Sequence, residues 1–304
     1  MKSNMLITGG AGLLALNWAQ LMRGQFNIYL VLHKRNVKLS GTTASHFQLS
    51  SIEEIQENFE YLKPQVVVHT AGLTSIEACE SNPELANHIN VNLAENMAKV
   101  CEKLNIPLVH ISTDHLFSGT EQNVDEGHPI APQNIYAKTK AEAEIRVLDS
   151  YPDALVVRTN FFGYGPTYRA SFSDMIINKL SEKSKLTLFQ DVFYTPVFSG
   201  VLVQAVHDLV RAKVSGIFNV VGDERLSKYE FGMKLAESYG LDKSYILKGD
   251  FLNQSNLVRR PSDMSLSNEK VCKVLGRKMG SVEEQLKMLH QQYETGYARE
   301  IQVL

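Results

Sequence analysis

Short apolar runs alternate with longer amphipathic segments along the first half of the chain. Apolar runs that are too short for helices predict strands at residues 5–7, 27–32, 64–69 and 106–112. Helical spacing of the apolar positions predicts helices at residues 13–23, 52–61 and 83–104. Strands that are apolar on both faces and alternate with helices are typical of a parallel sheet with helices on both sides.

The second half repeats this pattern less regularly. It predicts strands at residues 154–158 and 216–221, and helices at residues 134–148, 172–181, 200–211, 227–239, 268–275 and 282–293. Ser227 followed by Glu230 is a capping-box pattern, so it marks the start of one of these helices. The pattern predicts an α/β fold: a doubly wound parallel Rossmann sheet with a second, smaller and discontinuous C-terminal domain.

The predicted domain boundaries follow from this order of elements. Residues 1–160 would form the cofactor-binding domain, completed by segments at about 194–221. Residues 161–193 and 222–304 would form mainly the substrate-binding domain. A chain of 304 residues is long enough for two such units.

Composition excludes several classes of protein. Hydrophobic residues make up 44% of the chain and charged residues 21%, which excludes a disordered chain. Lys and Arg total 31 against 33 for Asp and Glu, so no basic excess points to a nucleic-acid partner. Cys79, Cys101 and Cys272 are scattered, which predicts neither a disulfide framework nor a metal site. No leader pattern or membrane-length apolar run is present, so we expect a cytoplasmic protein without a membrane partner. The sequence leaves a homodimer open.

A glycine-rich turn at residues 8–15 follows the first predicted strand and opens a helix. Gly9 permits a tight turn, Gly12 lets the backbone approach a pyrophosphate, and Ala15 lets the helix pack on its strand. The free amides at Leu13 and Leu14 would meet the anion at the positive end of the helix dipole. This position favours a dinucleotide site over an ordinary glycine turn.

The second strand ends in His33, Lys34 and Arg35. An NAD site usually has a carboxylate here for the adenosine ribose, and this segment has none. Basic side chains suit a 2′-phosphate instead, so NADP(H) is the preferred cofactor and NAD(H) remains an alternative. A solvated basic loop would explain the same residues without a ligand.

Tyr136 and Lys140 are four residues apart on a predicted helix and share one face. An ammonium nearby lowers the pKa of a tyrosine and suits it to acid–base work. Such a pair is common by chance, but residues 110–114 supply hydroxyls where a strand ends at the carboxyl edge of the sheet, where open α/β sheets bind ligands.

Together these features resemble the extended short-chain dehydrogenase/reductase superfamily, and within it the dTDP-4-dehydrorhamnose reductases and their sugar-nucleotide-binding relatives. The most specific segment is Ser-Thr-Asp-His-Leu-Phe-Ser-Gly at residues 112–119. Further similar segments cover nearly the whole chain, at residues 8–15, 69–72, 83–90, 136–140, 158–161 and 260–270.

The resemblance implies roles for individual residues. The implied catalytic residues are Thr113, Tyr136 and Lys140. Besides the glycine turn, the basic loop, Tyr136 and Lys140, it implies cofactor contacts by Ala71, Gly72 and Asn90. The implied substrate-binding residues are Asp114, His115, Asn160, Phe161 and Arg260, with Asn160 and Arg260 at the nucleotide end.

Three positions depart from the pattern of the family. His115 and Phe161 replace aromatic residues of the sugar pocket, and Gln48 stands where an adenine-binding Asp is common. We therefore expect an NADPH-dependent reductase that acts on a keto group, at C4, of a nucleotide-activated sugar other than the standard rhamnose precursor. A nucleotide-sugar epimerase with retained NAD and a non-catalytic NADP-binding regulatory subunit remain alternatives. A 4,6-dehydratase is disfavoured, because it usually carries Glu where this chain has His115.

Overall fold

The structure is a computed structural model and describes residues 2–47, 49–253 and 258–304. The strands are β1 (Ser3–Thr8), β2 (Phe26–Val31), β3 (Thr42–Ser45), β4 (Val66–His69), β5 (Leu108–Ile111), β6 (Leu155–Arg158), β7 (Phe161–Phe162), β8 (Leu186–Phe189), β9 (Phe193–Tyr194), β10 (Val197–Phe198), β11 (Gly216–Asn219), β12 (Leu226–Ser227) and β13 (Ile246–Gly249). The helices are α1 (Leu13–Met22), α2 (Ile52–Leu62), α3 (Ile76–Ser81), α4 (Pro83–Asn87), α5 (Leu93–Lys103), α6 (Ile135–Ser150), α7 (Phe172–Ser181), α8 (Ser199–Arg211), α9 (Lys228–Ser238), α10 (Glu269–Leu275), α11 (Val282–Glu294) and α12 (Arg299–Gln302).

Seven strands form one sheet in the order β11-β6-β5-β4-β1-β2-β3, and every neighbouring pair is parallel. This confirms the predicted α/β Rossmann fold. The chain leaves β1 towards β2 and β3, and then returns to place β4 on the other side of β1. Such a reversal opens a crevice at the carboxyl ends of the strands, where doubly wound sheets bind ligands.

Each face of the sheet buries its own layer of helices, because successive strand residues point to opposite faces. Met5 and Ile7 pack in the cluster that includes side chains of α1, α8 and α10. Leu6 packs in the other cluster, with side chains of α2, α5 and α6. Both clusters consist mainly of aliphatic side chains with a few aromatic ones, such as Trp18 in the first and Phe59 in the second.

A third cluster lies outside the sheet. It joins side chains from residues 162–198 to others from residues 226–298, including α7, α9 and α11. The C-terminal third also contributes Val271, Met279 and Ile301 to the first sheet cluster. The predicted domain boundaries stay a prediction. The third cluster is built from two separate stretches of the chain, which is the arrangement expected of a discontinuous domain.

Local signals explain most element ends. Ser227 caps α9 and Glu230 bonds back to it, so the predicted capping box is present. The predicted helix at 83–104 contains a π turn at His88–Asn92, which separates α4 from α5. The pattern did not predict α3, β3, β8 or β13, which are only four to six residues long.

Candidate active site

The glycine turn brings the start of α1 to the edge of the sheet. Gly9 has φ +66°, and a Cβ there would lie 2.9 Å from the Ala71 backbone. A Cβ on Gly12 would lie 3.0 Å from the Gly9 carbonyl oxygen, which accepts a 2.7 Å hydrogen bond from the Gly12 amide. No side chain caps α1, so the amides of its first turn are available to an anion. This geometry fits a dinucleotide pyrophosphate.

These residues line a cavity of about 730 Å³ along the carboxyl edge of the sheet. Of the sequence-predicted site residues, the cavity is lined by Gly9, Gly12, Leu13, Leu14, His33, Lys34, Arg35, Ala71, Gly72, Thr113, Asp114, His115, Tyr136, Lys140, Asn160 and Phe161. The volume is of the order that a cofactor or ligand site needs. The fold therefore brings together at one edge residues that are scattered along the sequence.

The basic loop after β2 is covered by a residue from another part of the chain. The Arg35 guanidinium lies 3.9 Å from the centre of the Tyr168 ring. The Tyr168 hydroxyl donates a 2.8 Å hydrogen bond to the Ala11 carbonyl oxygen. Tyr168 thus bridges the glycine turn and the basic loop, and it holds the Arg35 guanidinium in place at this end of the cavity.

Tyr136 and Lys140 lie on the first turns of α6, one above the other. Asn134 caps this helix by accepting a 2.9 Å hydrogen bond from the Ala137 amide. The Lys140 ammonium donates to the Ile111 carbonyl oxygen at 2.7 Å and lies 3.3 Å from His110 Nε2. The tip of Lys140 is therefore fixed against the end of β5.

Two buried histidines lie behind Lys140 on neighbouring strands. The rings of His69 and His110 stack with their centres 5.5 Å apart, and Thr8 Oγ1 lies 2.8 Å from His69 Nδ1. Burial, followed by the charge of Lys140, lowers the pKa of His69 to about 3 and that of His110 well below its usual range. Both rings are therefore neutral, and His110 can accept a hydrogen bond from the ammonium.

Burial dominates the ionisation of the Tyr136–Lys140 pair. It raises the pKa of Tyr136 to about 12, against a hydrogen bond with Thr113 that lowers it. It lowers the pKa of Lys140 to about 8, against the charge of Glu144 that raises it. Lys140 was expected to lower the pKa of Tyr136, but it is not among the groups that act on this pKa, which burial dominates. Tyr136 is consequently a protonated phenol at neutral pH, the form that can donate a proton.

The loop after β5 holds the predicted substrate-binding residues together. Asp114 Oδ1 accepts from the Thr113 hydroxyl at 3.3 Å, and Oδ2 accepts from the Asn160 side-chain amide at 2.5 Å. The His115 ring meets the Tyr136 ring edge-on, with 5.9 Å between their centres. Thr113, His115 and Tyr136 therefore surround one point of the cavity.

Two predicted site residues, Asn90 and Arg260, are placed otherwise. Asn90 is buried and does not line the cavity; its Oδ1 accepts from the Leu73 amide at 2.7 Å and its Nδ2 donates to Thr139 Oγ1 at 2.9 Å. Arg260 forms an ion pair with Glu77 and is not among the residues that line the cavity in the described part of the chain. Gln48 lies outside the described residues.

Several cavity residues were not predicted from the sequence. Five of them are Thr74, Tyr168, Arg169, Ser171 and Phe172. All but Thr74 follow the Gly-Tyr-Gly-Pro segment at residues 163–166. The composition of this segment predicts a loop, but it does not predict which part of the fold the loop contacts. Arg169 donates a 2.6 Å hydrogen bond to Thr74 Oγ1, so this loop lies across the cavity from the end of β4.

The described residues form neither a metal-binding cluster nor a membrane-spanning helix. Within residues 2–47, 49–253 and 258–304, no group of three or more His, Cys, Asp or Glu could hold a metal ion. None of the helices in the same ranges is long and apolar enough to cross a membrane.

The sheet order and the cavity at its carboxyl edge define a protein of the doubly wound Rossmann class. Within this class, the chain belongs to the RmlD substrate binding domain family, whose model matches residues 3–295. The resemblance found in the sequence is confirmed.

Individual relatives are similar along most or part of the chain. The probable low-salt glycan biosynthesis reductase Agl14 of Haloferax volcanii is 28% identical over 288 residues, which are 93% of this chain and 96% of that protein. The methionine adenosyltransferase 2 subunit beta of Xenopus laevis is 32% identical over 192 residues, which are 60% of this chain and 57% of that protein. The dTDP-4-dehydrorhamnose reductase of Bacillus anthracis, solved in complex with NADP, superposes with a TM-score of 0.83 at 24% identity, over 96% of this chain and 99% of that one.

Proposed function

We propose that the protein is an NADPH-dependent reductase of a keto group, at C4, of a nucleotide-activated sugar. The observation that carries this proposal is the meeting of Thr113, Tyr136 and Lys140 in one cavity with the glycine turn. Two relatives support it: the Haloferax volcanii protein is called a reductase, and the Bacillus anthracis reductase was solved with NADP.

NADPH fits the end of the cavity formed by the glycine turn and the basic loop. The amides at the start of α1 would hold its pyrophosphate, and Lys34 and Arg35 would hold its 2′-phosphate. The stacking of Arg35 on Tyr168 supports this role, since it holds the guanidinium at the cavity. Bound NADPH supplies the hydride that reduces the carbonyl carbon.

The residues of the chain supply the proton and the orientation. Thr113 would turn its hydroxyl from Asp114 to donate a hydrogen bond to the carbonyl oxygen, and the Tyr136 hydroxyl would transfer its proton to that oxygen as the carbon accepts the hydride. The hydroxyl carries this proton at neutral pH, because the pKa of an ordinary tyrosine is already about 10 and burial raises that of Tyr136 to about 12. Lys140 would hold the cofactor ribose with a hydrogen of the ammonium not used by Ile111 and His110.

His115 would shape the sugar pocket. Burial lowers its pKa, with Lys228 and Arg260 acting in the same direction and Asp114 opposing them. A neutral ring edge-on to Tyr136 suits a pocket wall beside the reacting sugar. Asn160 and Phe161 would contact the same ligand from the end of β6.

The proposal predicts substrate-dependent oxidation of NADPH. We expect a panel of 4-keto nucleotide sugars, each assayed with NADPH and with NADH, to contain at least one compound that oxidises NADPH faster than NADH. Absorbance at the nicotinamide band gives the rate. No oxidation with any compound would contradict reduction, and a clear advantage for NADH would contradict the role of Lys34 and Arg35.

A second candidate is a non-catalytic NADP-binding regulatory subunit. It is favoured by the similarity to methionine adenosyltransferase 2 subunit beta, although this chain matches only 57% of that protein. Stoichiometric NADPH binding without oxidation across the panel, together with co-purification of a partner enzyme, would select it over the reductase.

A further inference from the structure

Lys228, the first residue of α9, places an unpaired charge against the wall of the cavity. Its ammonium nitrogen lies 3.3 Å from the centre of the Tyr194 ring and 4.9 Å from the centre of the Phe172 ring. Phe172 lines the cavity. Across the part of the chain that the structure describes, no carboxylate forms an ion pair with Lys228 and no acceptor forms a hydrogen bond with its side chain.

The acidic residue whose charge acts on Lys228 forms hydrogen bonds with other side chains. Asp114 raises the pKa of Lys228 by its charge, but its two oxygens accept from Thr113 and Asn160. His115 Nε2 lies 3.9 Å from Asp114 Oδ1 as well. Asp114 therefore lowers the cost of the buried ammonium without satisfying any of its three N–H donors.

Two more polar atoms beside Lys228 have no partner. Tyr194 is 2% exposed, and its hydroxyl makes no hydrogen bond to any described residue. His115 Nδ1 is also buried without a partner in the same part of the structure. Because buried polar groups are nearly always hydrogen-bonded, such a group of atoms next to a cavity indicates a ligand.

We propose that Lys228 binds an oxyanion of the substrate, with the Tyr194 hydroxyl as a second donor. This inference rests on the proposed function, since it places the anion on the same nucleotide sugar. The ammonium of Lys228 makes cation–π contacts with the faces of the Tyr194 and Phe172 rings. These contacts position the ammonium before the ligand binds.

The protonation of Lys228 agrees with such a role. Burial lowers the pKa of Lys228 to about 8, and the charge of Asp114 opposes this. An oxyanion at hydrogen-bond distance would favour the charged form further and offset the cost of burial.

A nucleotide sugar has two places for an oxyanion: its diphosphate and a carboxylate on an acidic sugar. The coupling of Lys228 to Asp114 and His115, next to Tyr136, puts it near the sugar end of the cavity. The two sources are separated by measuring binding of UDP, dTDP, UDP-glucose and UDP-glucuronate by calorimetry in the presence of NADPH.

The informative variant is Lys228→Met, which keeps the length and apolar contacts of the side chain and removes the charge. Neither lysine lines the cavity itself, but Lys228 lies over Phe172, which does, whereas Lys248 lies over Tyr229 at 5.0 Å, which does not. Lys248→Met is therefore the matched control. Thermal unfolding and NADPH affinity check that both variants are folded.

We expect Lys228→Met to weaken binding of the anionic probes about 10-fold to 100-fold, the range for one buried charge-assisted hydrogen bond, and Lys248→Met to change nothing. A loss confined to UDP-glucuronate identifies a sugar carboxylate, whereas an equal loss for UDP, dTDP and both sugars identifies the diphosphate. Unchanged affinity for all four probes would overturn the proposal. If the parent protein bound none of the four probes, both this inference and the nucleotide-sugar function would be overturned. If the parent protein bound them but reduced no nucleotide sugar, the reductase function would fail while the binding role of Lys228 would stand.

Discussion

The variant Tyr136→Phe is expected to lose about 10²-fold to 10⁴-fold of the reduction rate, the range for removal of a general acid. The change deletes one oxygen atom and keeps the ring that packs edge-on against His115. In the described part of the chain, Tyr168 also lines the cavity, but its hydroxyl donates to the Ala11 carbonyl oxygen at the glycine turn. Stopped-flow measurement of NADPH oxidation at saturating substrate gives the rate of the chemical step.

The control for this variant is Tyr151→Phe, at the other end of the same helix. Tyr151 is 8% exposed and packs in the cluster beneath the sheet, away from the cavity. NADPH affinity should be the same in both variants and the parent protein. Reduction by Tyr136→Phe at the parental rate would show that another group protonates the carbonyl oxygen.

The second large effect is on stability, at the ion pair between Glu144 and Arg158. Both side chains are 3% exposed. Arg158 Nε donates to Glu144 Oε1 at 2.9 Å, and Nη2 donates to Oε2 at 2.7 Å. This two-pronged contact ties α6, which carries Tyr136 and Lys140, to the end of β6. Removing one partner of a buried pair leaves the other charge unpaired in a medium that solvates it poorly.

We therefore expect Glu144→Ala to lower the free energy of unfolding by about 3–5 kcal/mol. Glu142→Ala is the matched control: Glu142 lies on the same helix and also pairs with an arginine, Arg146, but its side chain is 43% exposed. Exposed pairs contribute only about 0–1 kcal/mol. Urea unfolding measures both variants.

The double variant Glu144→Leu, Arg158→Met separates charge from packing. Replacing both partners by apolar side chains removes the unpaired charge, so the double variant should be more stable than Glu144→Ala. Equal losses for Glu144→Ala and Glu142→Ala would contradict the account of a buried pair.

The sequence predicts those parts of the site in which the chemistry is local. Gly9 and Gly12 follow a strand and open a helix, and Tyr136 and Lys140 are one helical turn apart, so spacing alone places each pair. Parallel strands end at the same edge of the sheet, which brings the two pairs into one cavity. The prediction that the two pairs share one cavity therefore depends on the topology of the sheet.

Contacts between distant loops could not be predicted in this way. Arg35 and Tyr168 stack across 133 positions of sequence, the difference between their numbers, and Lys228 meets Phe172 from a separate helix. Asn90 matches a motif that implies a cofactor contact, but its side-chain amide forms hydrogen bonds with Leu73 and Thr139 instead. Likewise, the ionisation of Tyr136 is set by burial, which the spacing of two residues on a helix does not reveal.

The central claim is that hydride passes from NADPH to a sugar carbon while Tyr136 supplies the proton. The most direct measurement uses NADPH carrying deuterium on the transferred position of the nicotinamide, with a 4-keto nucleotide sugar that passes the oxidation assay, and reads the product by NMR. The account predicts one deuterium on C4 of the reduced sugar and one oxidised cofactor per product. A product without deuterium, or an epimer formed with no net oxidation of NADPH, would contradict it.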